Sequence, residues 1–343
     1  MALHLVTGGS GFVGSNIARR LLDRGEQVRV LDIWKSADLP DLVEFIQADI
    51  NDSASVAAAM KGVDFVHHNV ALVPLHKAGR GYWKVNVEGT QIALTCAKAA
   101  GVKMFSHMSS SAVFGLPTVM PITNDTRREP IEIYGHAKKA GEDLVLRAME
   151  EGFPACIIRP RTIIGTGRLG IFQILFEWIK DGANVYTIGE GNGLFQFVHC
   201  DDLADTSIIA CVDHKPGVYN VGTDRFGTLR EDLEFLCAHA KTGSRVKSLP
   251  AGLAIGTLTM LDKLRLSPLG PWHYLTYHKP FYFDSEPVYR ALNWRPKYGN
   301  REMMCSSYDW FIRHAPSANA SKGSSAHKSP VRQGVLKILK AIS

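Results

Sequence analysis

The sequence predicts an α/β fold in which helices cover both faces of a doubly wound parallel sheet, with a smaller C-terminal lobe beside it. An apolar run typical of a buried strand, 3–7, leads through a glycine-rich turn into a segment with apolar residues at helical spacing, 12–24. A second strand-like run, 27–32, follows it. Strands that alternate with helices pair in parallel, because each helix carries the chain back to the starting edge of the sheet. At 343 residues the chain is also long enough for a second lobe.

Composition and charge exclude several classes of protein. Apolar residues make up 45% of the chain and charged residues 21%, which is typical of a globular protein and not of a disordered or fibrous one. The net charge of +6 arises in the tail, where six basic residues and no acidic residue follow Asp309. The preceding chain carries 33 basic and 33 acidic residues, so we expect no nucleic-acid partner.

The cysteines and histidines suggest neither disulfides nor a metal site. The six cysteines form no CxxC pair, and the N-terminus runs into a strand without a signal peptide, so we expect reduced thiols in the cytoplasm. His67 and His68 are adjacent on a predicted strand and face opposite sides of it, so we predict no metal there. No apolar run approaches the roughly 20 residues of a membrane-spanning helix.

The turn after the first strand predicts a dinucleotide site. Glycines let the backbone approach a pyrophosphate, and the N–H groups and dipole at the start of the following helix favour its negative charge. The residues predicted to hold the pyrophosphate are Gly8, Gly11, Phe12, Val13 and Gly14. Asp32, at the end of the second strand, is placed to bind the adenosine ribose and would repel a 2′-phosphate, which predicts NAD in preference to NADP. The alternative is an ordinary glycine turn followed by an acid.

The GxxGxxG spacing resembles that of the extended short-chain dehydrogenase/reductase superfamily, the NAD-dependent epimerase/dehydratase family, whose cofactor half has a Rossmann-type fold. Two further motifs follow in the family's order. Residues 69–71 resemble its HxAA stretch, and residues 86–90, NVEGT, match NVxGT, whose asparagine braces the central strands. The further residues that this resemblance assigns to the cofactor are Asp49, Ile50, Ala71 and Asn86.

Two motifs of the same family carry its chemistry. Residues 109–115, SSSAVFG, resemble SSxxVYG, and Tyr134 to Lys138 match YxxxK. The resemblance implies that Ser109 contacts the cofactor and that Ser110, Tyr134 and Lys138 are catalytic. On a helix, residues four apart share a face, so Tyr134 and Lys138 can both point at the nicotinamide ribose. A YxxxK pattern alone is also common on structural helices.

The catalytic trio predicts hydride transfer at a carbinol carbon. Tyr134 would take the proton of a substrate hydroxyl while hydride leaves the same carbon for the nicotinamide, and Ser110 would hold the oxygen. The usual tyrosine pKa of about 10 is too high for a base at neutral pH. The Lys138 ammonium and an oxidised nicotinamide favour phenolate, so we predict that the pKa of Tyr134 is lowered.

Further resemblances divide the chain into two lobes. Residues 159–160 resemble the strand ending in RP that closes the cofactor half, and residues 197–204, FVHCDDLA, resemble the FVHVDDVA segment that returns to it. Residues 289–296 are similar to the family's closing structural stretch. The predicted units are a cofactor domain at 1–165 plus 196–222 and a substrate lobe at 166–195 plus 223–315.

Several positions depart from the patterns of particular family members. Dehydratases carry an Asp-Glu pair where this chain has Ser111 and Ala112, which argues against water elimination. Epimerases of UDP-sugars usually bind the diphosphate with an asparagine and an arginine at the positions of Thr162 and Phe195. Cations that would serve phosphates instead are Arg161, Arg168 and Lys279, each of which taken singly is an ordinary surface cation.

The end of the chain is predicted to form a flexible linker, 316–330, and a short basic amphipathic helix, 331–343. Such a helix lies on an anionic membrane surface or docks onto the protein body or a second subunit. We expect a cytoplasmic homodimer with peripheral contact to the inner membrane face.

The sequence is compatible with three functions. The leading hypothesis is an NAD-dependent epimerase or ketosugar reductase that acts on a nucleotide-linked sugar. The first alternative is an oxidoreductase similar to 3β-hydroxysteroid dehydrogenases, acting on an apolar or lipid alcohol. The second is a non-catalytic NAD-sensing module, because dehydrogenase folds also host other functions.

Overall fold

The computed structural model describes residues 1–74, 78–264, 270–318 and 340. The strands are β1 (Leu3–Thr7), β2 (Gln27–Asp32), β3 (Glu44–Gln47), β4 (Phe65–His68), β5 (Met104–Met108), β6 (Ala155–Pro160), β7 (Thr162–Ile164), β8 (Val185–Ile188), β9 (Phe197–His199), β10 (Gly217–Val221) and β11 (Val246–Leu249). The helices are α1 (Phe12–Asp23), α2 (Ser53–Ala59), α3 (Gly81–Trp83), α4 (Gly89–Ala100), α5 (Ile133–Glu150), α6 (Ile171–Lys180), α7 (Cys200–Val212), α8 (Leu229–Ala240), α9 (Ala251–Lys263), α10 (Pro271–Thr276), α11 (Glu286–Leu292) and α12 (Asn300–Ala318). A π-helical segment, Lys84–Glu88, joins α3 to α4, and a 3₁₀ turn occupies Ser111–Phe114.

Seven of the strands form one parallel sheet in the order β10-β6-β5-β4-β1-β2-β3. From β1 the chain adds β2 and β3 on one side and then returns to add β4, β5, β6 and β10 on the other. The topological switch therefore lies between β1 and β4. The predicted Rossmann-type α/β fold is confirmed.

Glycines at the end of β1 allow α1 to pack closely on the sheet. Gly8 has a φ of +67°, which L side chains rarely adopt, and a Cβ there would lie 2.8 Å from the backbone of Val70. A Cβ on Gly14 would lie 2.3 Å from the carbonyl oxygen of Gly8. Both positions therefore require glycine for backbone conformation or close approach, apart from any contact with a ligand.

Apolar residues cover both faces of the main sheet. On one face, Leu94 of α4 and Val145 of α5 are fully or almost fully buried against the strands. On the other face, Ile17 of α1 and Ile208 of α7 are fully buried. Burial on both faces explains why apolar residues of the strands point to both sides of the sheet.

The second lobe has its own apolar core, formed where α6, α8 and α12 meet. Phe176, Leu236 and Phe311 are buried there. Two small parallel sheets, β8–β11 and β7–β9, lie outside the seven-stranded sheet. Both strands of β8–β11 come from segments that the sequence assigns to the substrate lobe.

Helix α12 runs into the segment that the sequence predicts to be a flexible linker. The predicted linker begins at 316, but α12 continues to Ala318. The rest of the linker and the predicted tail helix lie outside the described residues, apart from Lys340, whose ammonium group is 2.5 Å from the Asp181 carboxylate. Among the described residues, no helix combines the length and the apolar character that crossing a membrane requires.

Four histidines are buried in the central strands. His67 contacts His4 and Ser207 of α7 at 3.1 and 3.0 Å, whereas His68 contacts Thr90 of α4 at 3.1 Å. The two neighbours thus face opposite sides of the sheet. Burial lowers the pKa of His4 to about 4 and that of His68 to about 3, and it also lowers the pKa of His107.

Acid should therefore weaken the fold through these histidines. A histidine whose folded-state pKa is below its unfolded value contributes stability that is present above pH 6.5 and is lost as the pH falls toward the folded pKa. Between pH 7 and pH 5 we expect His68 alone to account for a loss of about 2 kcal/mol in the free energy of unfolding. His68→Gln should remove that part of the pH dependence, measured by urea unfolding at both pH values. The exposed His136→Asn is the control, and equal pH dependence in His68→Gln and wild type would contradict the assignment.

Candidate active site

A cavity of about 350 Å³ opens at the carboxyl ends of the parallel strands. Gly8 follows β1, Asn69 follows β4 and Ser109 follows β5, and all three line this cavity. The cavity therefore lies at the topological switch between β1 and β4, where open parallel sheets bind their ligands.

The glycine turn forms one wall of the cavity. Helix α1 begins after Gly11, which has no side chain to accept hydrogen bonds from the first N–H groups of the helix. Gly8, Gly11, Phe12, Val13 and Gly14 all line the cavity. An uncapped helix start without obstructing side chains fits a pyrophosphate, so the residues present are suited to a dinucleotide.

Asp32 is fixed at the end of β2, on the same side of the cavity. Its carboxylate accepts hydrogen bonds from the backbone N–H groups of Ser10 at 3.0 Å and Ile33 at 2.8 Å. These two bonds orient the carboxylate, which is only 8% exposed, at the cavity wall. The position is suited to the predicted contact with the ribose hydroxyls.

Replacing this carboxylate should weaken NAD binding. Asp32→Asn keeps the shape and removes the charge, and losing a charged hydrogen bond to a ribose hydroxyl should raise the Kd for NAD about 10- to 100-fold. The ratio of the Kd for NADP to the Kd for NAD should also fall, because the repulsion of a 2′-phosphate is lost. Titration of both nucleotides against Asp32→Asn and the exposed control Asp41→Asn checks this. Unchanged NAD affinity in Asp32→Asn would remove Asp32 from the cofactor site.

Most of the other predicted cofactor residues line the same cavity, and Asn86 does not. Asp49, Ile50 and Ala71 are among the lining residues. Asn86 is buried and clamps the loop after β4, accepting from Leu72 N–H at 2.9 Å and donating to Leu72 C=O at 3.0 Å. Asn86 therefore holds the loop that carries Ala71, and its contact with the cofactor stays a prediction.

Ser110, Tyr134 and Lys138 come together in this cavity. Tyr134 and Lys138 lie one turn apart near the start of α5, and Ser110 immediately precedes the 3₁₀ turn and interacts with the Tyr134 hydroxyl. The Lys138 ammonium donates to the carbonyl oxygen of Met108 at 2.5 Å and is nearly completely buried. The neighbouring Ser109 donates to Glu142 at 2.5 Å. The geometry places one phenol, one hydroxyl and one ammonium at the same opening.

The pKa of Tyr134 departs from the expectation. Burial raises it to about 12, outweighing the lowering effects of the Ser110 hydrogen bond and the Arg168 charge. Lys138 is not among the groups that shift it most. Burial also lowers the pKa of Lys138 to about 8, although the Glu142 carboxylate partly offsets this. The chain's own groups therefore do not lower the pKa of Tyr134 as the sequence predicts.

The cavity also has lining residues that motif analysis does not reveal. Phe172 of α6, Trp272 of α10 and Tyr277 line it. They belong to parts of the second lobe that carry no recognisable spacing. Arg161 and Arg168, considered in the sequence only as phosphate-binding cations, line it too, whereas Lys279 does not.

One group of side chains among the described residues has the geometry of metal ligands. These are His199, Cys200 and Asp201, at the junction of β9 and α7. His199 Nδ1 already accepts from the Asp201 N–H at 3.2 Å, and the Asp201 carboxylate accepts from Asn16 at 2.7 Å. Protein hydrogen bonds thus use two of the three ligands, and we assign no metal to the group.

Comparison with known proteins was made by sequence and by structure. Residues 4–222 match the model of the NAD dependent epimerase/dehydratase family. The chain is 43% identical to the uncharacterized protein y4nG of Sinorhizobium fredii over 98% of this chain and 85% of that protein. It is 28% identical to UDP-arabinose 4-epimerase 1 of Arabidopsis thaliana over 90% of this chain and 79% of that protein.

Two further similarities bear on the fold and on the substrate. The chain is 32% identical to a 3 beta-hydroxysteroid dehydrogenase/Delta 5-->4-isomerase of Mycobacterium tuberculosis over 62% of this chain and 60% of that protein. Its structure is similar to that of UDP-glucose 4-epimerase of Thermotoga maritima with UDP-glucose, with a TM-score of 0.76 and 23% identity over 91% of this chain and 99% of that one. The structural similarity extends across both lobes.

Proposed function

The chain belongs to the NAD dependent epimerase/dehydratase family of extended short-chain dehydrogenases/reductases and is an NAD-dependent enzyme, and we propose that it epimerises or reduces a sugar carried on a nucleotide. The observation that carries this proposal is the convergence of Ser110, Tyr134 and Lys138 on the cavity that the glycine turn lines. The similarity to a UDP-arabinose 4-epimerase over most of both chains supports the sugar nucleotide.

The proposed mechanism assigns one task to each side chain. When bound, NAD provides the hydride acceptor or donor at nicotinamide C4 and, when oxidised, a positive charge that favours Tyr134 phenolate. Tyr134 takes the proton of the substrate hydroxyl, and Ser110 hydrogen-bonds the same oxygen. Lys138, held by the Met108 carbonyl, binds the nicotinamide ribose. For reduction of a ketone, the tyrosine returns the proton.

A second candidate is supported by an exposed apolar helix. Leu253 and Met260 of α9 are 70% and 58% exposed, and α9 packs beside α10, which contributes Trp272 to the cavity. An apolar surface on the substrate lobe favours a lipid alcohol, and the similarity to a hydroxysteroid dehydrogenase over 62% of this chain agrees with this.

A panel of substrates separates the two candidates. The purified enzyme is offered NAD or NADH with UDP-, dTDP- and GDP-sugars and with sterols, and nicotinamide absorbance and product stereochemistry are followed. A new epimer without net change in the cofactor identifies an epimerase, whereas net change with a ketosugar identifies a reductase. Turnover of sterols together with failure of every nucleotide sugar would overturn the proposal in favour of the second candidate.

The proposal also covers the location of the protein, its oligomeric state and its C-terminal tail. We propose a cytoplasmic homodimer whose residues 331–343 either contact an anionic membrane or dock onto the protein. The ion pair between Lys340 and Asp181 favours docking onto the protein body. Deletion of 317–343 tests the membrane alternative, because full-length protein that binds anionic liposomes no better than the truncated protein would remove it.

A further inference from the structure

A buried arginine lines the cavity. Arg161 directly follows β6, lines the cavity and is only 1% exposed. Its guanidinium carbon lies 4.1 Å from the centre of the Phe281 ring, 4.9 Å from that of Phe195 and 5.8 Å from that of Phe283. The aromatic rings hold the guanidinium group in place and shield it from water.

Most of the hydrogen-bonding capacity of Arg161 is unused. Nη1 donates to the Ser111 hydroxyl at 3.1 Å, but Nε and Nη2 have no hydrogen-bond partner among the described residues. No carboxylate of the described chain is among the groups that shift the pKa of Arg161, which burial lowers to about 9. Burying a cation without a counterion is costly, which points to an anionic ligand as the missing partner.

The two unused nitrogens of Arg161 have a defined geometry. Nε–H and one N–H of Nη2 point in the same direction from one edge of the planar guanidinium group. This edge matches the two oxygens of a carboxylate through two parallel hydrogen bonds. Each such charge-assisted hydrogen bond is roughly twice as strong as one between neutral groups.

A second buried arginine increases the positive charge of the same cavity. Arg168 is 8% exposed, its guanidinium carbon lies 5.5 Å from the centre of the Phe12 ring, and its Nε and Nη1 have no partner in the described chain. Its charge acts on the phenol of Tyr134, and Arg161 bonds the residue next to Ser110. Arg168 thus interacts with the catalytic phenol, and Arg161 contacts the residue that follows the catalytic serine.

We propose that Arg161, reinforced by the charge of Arg168, binds a carboxylate on the reacting part of the substrate, so that the sugar is a uronic acid or a similar acidic sugar. The nucleotide carrier in this statement rests on the proposed function, whereas the carboxylate rests on Arg161 alone. The competing assignment of Arg161 to the substrate diphosphate is decided by the test.

The test compares UDP-glucuronate with UDP-glucose, which share the nucleotide and the ring and differ in a carboxylate. Calorimetry on the NAD-loaded wild type should show about 10- to 100-fold tighter binding of UDP-glucuronate, as expected for a bidentate charged contact. Arg161→Gln should abolish this preference and leave the affinities for UDP-glucose and UDP within about threefold of the wild type. Arg161→Lys should restore part of the preference, and the exposed Arg290→Gln should not change it.

Three results would overturn the proposal. The first is the absence of a preference for UDP-glucuronate in the wild type. The second is an equal weakening of UDP, UDP-glucose and UDP-glucuronate in Arg161→Gln, which assigns the arginine to the diphosphate. The third is an unchanged preference in that variant. If Arg161→Gln does not fold, Arg161→Lys and Arg168→Gln provide the same comparison, and each should reduce the preference.

A probe without a nucleotide separates this proposal from the proposed function. Free D-glucuronate should raise the Tm of the NAD-loaded wild type, D-glucose should not, and Arg161→Gln should lose the effect. Protection by glucuronate with no turnover of any nucleotide sugar would support the carboxylate site and contradict the carrier. Turnover of neutral nucleotide sugars without protection by glucuronate would contradict the carboxylate site alone.

Discussion

Tyr134→Phe should lower kcat about 10³-fold or more with the substrate that the panel identifies, while the Kd for NAD stays within about threefold of the wild type. The substitution removes one hydroxyl group and keeps the ring, which packs edge-on against Tyr82 at 6.0 Å between ring centres. The proton of the substrate hydroxyl then has no acceptor, and the Ser110 hydroxyl cannot replace a phenolate as base. Steady-state kinetics and equilibrium NAD titration measure the two effects separately.

A matched tyrosine away from the cavity controls for the loss of a hydroxyl group. The hydroxyl of Tyr219, on the edge strand β10, donates to the carbonyl oxygen of Lys215 at 3.1 Å. Tyr219→Phe should keep kcat within about threefold, because it leaves the site intact. Wild-type turnover in Tyr134→Phe would exclude proton transfer by this tyrosine.

Lys138→Met should affect both catalysis and cofactor binding. The buried ammonium is assigned to the nicotinamide ribose, so we expect the Kd for NAD to rise about 10-fold and kcat to fall about 10²-fold or more. Methionine fills most of the same volume, which preserves the packing beside Met108. The measurement is the same pair of assays as for Tyr134→Phe, supported by a Tm.

The next residue in the chain provides the control. Lys139 lies about 100° away around the helix. Its ammonium pairs with Asp143 at 2.9 Å. Lys139→Met should leave both constants within about threefold of the wild type. An equal fall in kcat and an equal rise in the Kd for NAD in both lysine variants would contradict the assignment. The loss of one positive charge, and not the position of Lys138, would then explain the effect.

The cofactor half was predictable because its signals are local in sequence. The glycine turn that contains Gly8 and Gly14 works through backbone conformation and close packing, which only certain residues at fixed spacing permit. Asp32 ends the strand that follows this turn and its helix, and Tyr134 and Lys138 lie four positions apart on one helix face. Strand boundaries such as Leu3–Thr7 and Gln27–Asp32 agree with the predicted segments.

The substrate half depends on contacts between distant segments. The rings of Phe195 and Phe281 that hold Arg161 come from separate stretches of the second lobe, and no spacing relates them to the strand before Arg161. From the sequence alone, Arg161 therefore cannot be distinguished from an ordinary surface cation. The raised pKa of Tyr134 has the same origin, since burial results from packing in three dimensions.

The fate of the hydrogen on the reacting carbon tests the central claim most directly. A nucleotide sugar that the enzyme accepts is labelled with deuterium at that carbon and converted in ordinary water with NAD. Hydride transfer through the cofactor predicts that the deuterium is kept, either at the same carbon of the epimer or at nicotinamide C4 of the reduced cofactor. Loss of the deuterium to water would show that the carbon is deprotonated, which would contradict hydride transfer between this carbon and the cofactor.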